Sequence, residues 1–166
     1  MATPTRIEGD VYVAGNLRAH TMTVPAGAVT DDGVAAGADI QATKVRHEHR
    51  QVYAQESATS AADEARVIHA VRGAAAEAVA FVAGAVVKAI GDAIVEIDLL
   101  KNGASILTAP IELNSTQADY EVVAGVIDTA ALVAEDVLEI VIDGTIGTGT
   151  LPKGVFAALS VHEDAQ

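Results

Sequence analysis

The chain has no cysteine and no tryptophan, only two phenylalanines and three tyrosines, and ten Lys and Arg against twenty-three Asp and Glu. Each shortage excludes something. Without cysteine there is no disulfide framework and no thiolate nucleophile or ligand. With aromatics at 3% of residues, the hydrophobic 51% is mostly Ala, Val, Ile and Leu. Such side chains pack as thin layers between sheets and rarely wall a deep ligand pocket. A net charge of -13 argues against nucleic acid and anionic membranes as partners, since phosphate contacts need clustered Lys and Arg. Long apolar runs are missing too. The nearest, residues 74–90 (AAAEAVAFVAGAVVKAI), is broken by Glu77, Gly84 and Lys88 and is too weak for a membrane-spanning helix. The opening MATPTRIEGDVYV has no basic segment followed by an apolar one, and reads as lacking a secretory signal.

At 166 residues the chain suits one domain, or a domain of about 100 residues plus an arm. The two ends differ. Residues 1–72 carry seven basic and nine acidic side chains, residues 73–166 three basic and fourteen acidic. The first 60 residues hold short β-like pieces, VYV at 11–13 and TMTV at 21–24, separated by Gly9-Asp10, Gly15-Asn16, Pro25 with Gly27, and Asp31-Asp32-Gly33. No sustained period there buries a face, so residues 1–60 are expected to be an extended N-terminal arm that lies on something else.

From 61 to 166 the pattern is strand after strand. IVEIDLL at 94–100, the turn pair Asn102-Gly103 and ASILT at 104–108 predict a β-hairpin, because both turn positions need positive φ. Further strands are expected at 66–72, 77–90, 110–113, 119–127, 136–143 and 154–162. In the fifth of these, Leu138, Ile140 and Ile142 alternate with Val137, Glu139 and Val141. Segment 77–90 is the ambiguous one, alanine favouring helix and its Val, Phe and Ile favouring strand; Gly84 and the strand-rich surroundings decide for strand. About eight strands in 100 residues fit an all-β, jelly-roll-like sandwich.

The densest charge is KVRHEHR, residues 44–50. His47 and His49 are two apart, so on a strand both imidazoles share a face. A zinc site needs three or four protein ligands; no second pair is present, and the other histidines (20, 69 and 162) are scattered. No metal or cofactor is therefore expected. Ser160 near His162 has no oriented acid in view, there is no Gly-x-Ser-x-Gly, and GTIGTGTLPKG (144–154) lacks the ending of a phosphate-binding loop. The pairs Asp31-Asp32 and Glu135-Asp136 fall at predicted turns, where carboxylates are solvated or cap amides. No catalytic residue is assigned and no enzyme is expected.

The order GDVYVAGNLRAHTMTVPAGAVTDD, ADIQATKVRHEHR, VEIDLLKNGASILTAPIEL and GTGTLPKGVFAALSVHE resembles the trimeric capsid decoration (cement) proteins of tailed bacteriophages and their prophage relatives, over nearly the whole chain. That resemblance implies a structural virion protein on the outer capsid surface, assembled in the host cytoplasm. It would be a homotrimer of sandwich bodies whose arms bridge subunits of the major capsid protein. The same turn motifs also suit a head- or tail-fibre module binding a host glycan, although aromatic platforms for sugar are few. Lys44, Arg46, His47, His49 and Arg50 are the candidate subunit or coat contacts, the cations facing acidic groups of a neighbour.

Overall fold

A computed structural model describes residues 46–164, all of them strand, turn or coil with no helix. The strands are β1 His47–Ala54, β2 Glu64–Ala70, β3 Ala75–Val87, β4 Ile94–Lys101, β5 Ala104–Ser105, β6 Ile111–Leu113, β7 Val122–Ala124, β8 Ala131–Val133, β9 Val137–Thr145 and β10 Lys153–Glu163. They form two five-stranded antiparallel sheets. The first runs β1-β10-β3, with β7 and β8 both paired to β3; the second runs β2-β9-β4, with β5 and β6 both paired to β4. Pairing is thus nested: β1 with β10, β2 with β9, β3 with β7 and β8, β4 with β5 and β6. This is a long antiparallel ribbon rolled up, the winding of a jelly roll.

The core between the sheets joins unlike faces. The second sheet contributes bulk through Val95, Ile97 and Leu99 of β4 and Leu138, Ile140 and Ile142 of β9, all at 1% exposure or less. Facing them, the first sheet offers Ala78, Phe81, Ala83 and Ala85 from β3, and Val155, Ala157, Leu159 and Val161 from β10. Large branched side chains on one layer fill the space that alanines leave on the other. That complementarity makes the alanine-rich segment a strand: each buried Ile or Leu opposite contributes about 1.5–3 kcal/mol, more than alanine's helical preference. A register shift at Ser160/Val161 marks a bulge in the β3–β10 pairing, which leaves Val79 and Ala80 both exposed.

The hairpin turn forms as expected, but its second strand is only Ala104–Ser105 and not 104–108. Asn102 and Gly103 have φ of 52° and 84°, and Leu100 and Lys101 pair with Ser105 and Ala104. Two further expectations change. Segment 119–127 is not one strand, because after β7 the chain drops to residues 106–108, where Leu107 bridges Ile127, then returns to β3 as β8. Residues 47–54, assigned to the arm, instead pair along their whole length with β10 as β1. The sandwich therefore begins before residue 61, because an edge strand's pattern is completed only by its partner. Residues 1–45 lie outside the described part.

Candidate functional site

Of the contact residues read from sequence, Lys44 lies outside the described residues. The other four are divided by β1 between two surfaces. His47, His49, Gln51 and Tyr53 turn toward the second sheet, while Glu48, Arg50, Val52 and Ala54 face outward, as strand alternation requires.

The inward residues line a polar seam along β1 and β2. The His47 and His49 rings are 6.3 Å apart, centroid to centroid, and His49 and His69 are 5.5 Å apart. His69 Nε2 lies 2.5 Å from Glu163 Oε1, and Glu163 also accepts the amides of Gly73 (2.9 Å) and Arg72 (3.2 Å). Burial by itself pushes the Glu163 carboxyl up, but the Gly73 amide, His69 and the Arg72 amide outweigh it and hold the group below the usual carboxylate range. Glu163 thus joins β10 of the first sheet to β2 of the second and to the crossover into β3. Farther along the seam the Tyr53 hydroxyl donates to Glu64, which Arg66 also binds, and the Arg66 guanidinium sits 5.7 Å from the Tyr53 ring. Burial and the neighbouring Glu64 raise the Tyr53 hydroxyl; Tyr53 and then Arg66 lower Glu64. His69 and Glu163 were not paired in the sequence reading, because they stand 94 positions apart. Among the described residues no group of three or more His, Cys, Asp or Glu is placed to hold a metal ion.

The outward cations have acidic partners within their own chain. Arg46 bridges Glu77 of β3 at 3.2 Å and Asp164 at 3.3 Å, and Arg50 bonds Glu48 at 2.7 Å. The Arg50 hydrogen bond holds Glu48 below the usual carboxylate range.

Above these charges the outer face of the first sheet becomes apolar. Val52, Ala158, Val82 and Ala124 stand directly opposite one another across β1, β10, β3 and β7. The next row is Ala54, Phe156, Gly84 and Val122. Val52 is 73% exposed and Val122 55%. At the end of this face Tyr120 is 70% exposed and held at φ 61°, with its amide donating to the Ala85 carbonyl. Positive φ in a bulky residue is a strained geometry that persists only where the surroundings enforce it. The outer face of the second sheet is different: Asp143, Glu96 and Glu112 stand opposite one another across β9, β4 and β6.

Two shallow clefts offer little chemistry. One is lined by Asp63, Glu64, Ala65, Val141, Ile142 and Asp143; its Asp63 is occupied by the Gly144 amide. The other runs beside β6 and β7, its only ionisable side chain Glu112. Ser160 and His162 are alternate outward positions on β10, and Asp136 caps the Val133 amide and accepts from Asn102. The chain matches no protein-family model and no curated protein in sequence.

Proposed function

We propose that this chain is a structural protein of tailed-phage particles, a decoration protein that binds the outer capsid surface as a homotrimer. Residues 1–45 bridge neighbouring coat subunits, and the jelly-roll sandwich stands on them as the body. The observation that carries the reading is the sandwich itself: a β body with two uncharged, apolar rows across one outer sheet face, whose His69–Glu163 and Tyr53–Glu64 pairs join its own strands. Such a body is equipped to pack against protein. The resemblance in sequence supplies the kind of protein, and summed weak contacts from many arms supply the mechanical logic.

The test uses expanded shells assembled from the coat protein of the phage that encodes the chain. Full-length protein is expected to co-sediment with shells at saturable stoichiometry, and a variant lacking residues 1–45 to keep its fold but lose binding. The cut is made at 45 because removing β1 would unpair the edge of β10. Undiminished binding by the truncated form would sink the arm mechanism; absence of binding by the full chain would sink the decoration reading.

A further inference from the structure

We infer that the outer face of the first sheet, the two apolar rows and Tyr120, is the surface on which a second copy of this chain packs. The inference deepens the homotrimer reading above and rests on it only for the number of copies.

Size comes first. Strands about 4.8 Å apart and same-face residues about 6.8 Å apart make four strands by two rows, roughly 260 Å² of flat surface before the Tyr120 ring is added. With Tyr120 that is about the size of the largest patch on a typical monomer, which is often functional, and about a third of the roughly 800 Å² each partner buries in a stable complex. The remainder is the polar rim that interfaces carry, here Glu48, Arg50 and Lys153.

Texture comes second. The Phe156 ring reaches over Gly84: a Cβ at position 84 would stand 2.6 Å from its Cζ. The face is thereby level where a side chain would otherwise project. Tyr120 stands at its end as an exposed ring with two rotatable bonds, the kind of anchor that dominates interface energetics, and its backbone strain is maintained where no internal packing needs the ring.

Charge selects the occupant. The chain carries -13, so two copies repel unless the surfaces that meet are free of carboxylates. On the second sheet a copy would meet the row of Asp143, Glu96 and Glu112. On the first sheet it meets two rows without a charge; at one end Glu48 and Arg50 satisfy each other, and at the Tyr120 end Asp119 and Glu121 accept backbone amides. A basic partner would be drawn to the second sheet instead. Of the two outer sheet faces, the first sets the fewer carboxylates directly against a copy of this acidic chain.

Sedimentation velocity of the full chain at about 1 µM and about 100 µM brackets micromolar association. Wild type is expected to sediment as an oligomer at the higher concentration. The double variant Val52→Glu, Ala124→Glu is expected to associate at least about 100-fold more weakly. Val67→Glu, 58% exposed on β2, is the control and should assemble as wild type. Hydrogen exchange of unmodified protein at the two concentrations removes dependence on how the variant folds: amides around Val52–Ala54 and Tyr120–Ala124 should exchange more slowly in the concentrated sample. A monomeric wild type, an oligomer that survives the double variant, loss of assembly in the control, or exchange independent of concentration would each overturn the inference, the third moving the contact to the second sheet and the last leaving the first face to the coat, the arm or nothing. Shell binding is read separately. Assembly through this face without shell binding removes the decoration reading and leaves the inference; shell binding by a monomer does the reverse.

Discussion

Phe156 and Gly84 face each other across β10 and β3 so closely that residue 84 has no room for a side chain, with the Phe156 ring 2.6 Å and the Glu121 carbonyl 2.4 Å from where a Cβ would stand. The ring can swing away; the carbonyl belongs to the backbone leading into β7 and cannot move without it. Gly84→Ala is therefore expected to destabilise the protein by about 1–3 kcal/mol, the usual cost of overpacking, read as a lower urea midpoint with an unchanged slope.

The β4–β5 turn is a second place where backbone and side chain are both committed. Asn102 Nδ2 donates to Asp136 at 2.7 Å, its Oδ1 accepts the Val137 amide at 2.9 Å, and its own amide donates to the Val137 carbonyl. Asn102→Ala keeps the strands but strips two partners and places a less tolerant residue at positive φ. Its expected cost is about 1–3 kcal/mol. Gly103→Ala meets no atom within 4 Å, so any loss there, expected at about 1–2 kcal/mol, reports φ alone.

Acid should loosen the sandwich through Glu163. Its folded carboxyl titrates below its unfolded value, so the folded state binds fewer protons. The stability it contributes is complete above the unfolded pKa, about 4.3, and is lost as pH falls from there through the folded pKa. Glu163→Gln should lower stability at neutral pH and flatten the acid limb below about pH 5, measured by urea unfolding across a pH series. An unchanged acid limb in the variant would assign the pH dependence elsewhere, first to Asp136 and Asp92, which their amide partners also hold low.

Arg50 supplies a contrast. Its side chain is 76% exposed and bonds only a neighbour two residues away on the same strand, so Arg50→Ala should change stability by less than about 0.5 kcal/mol. Thermal melts check this. Any loss of particle or subunit binding in the variant then reports a contact, not a folding defect.

What could be read along the chain was whatever is local. The alternation of Val137 to Ile142 sorted correctly into a buried and a half-exposed set, and Asn102-Gly103 predicted its turn, because period and φ are properties of neighbouring residues. β1 was missed because His47 to Ala54 bury only alternate, polar side chains, and their order comes from eight paired positions on β10. β8 was missed because three residues, Ala131–Val133, carry no period of their own. Segment 44–50 was half legible: its charge was visible, but its splitting of Arg46 and Arg50 from His47 and His49 follows from the strand that β10 imposes.

By itself the sequence determined the all-β class, the acidic body and the hairpin, since composition, alternation and turn chemistry act over a few residues. Only the tertiary structure decided that Glu163 meets His69 across 94 positions, and that valines and alanines from four strands line up as one bare face. Both depend on sheet register, which is settled by long-range pairing and by which side chains fit opposite one another.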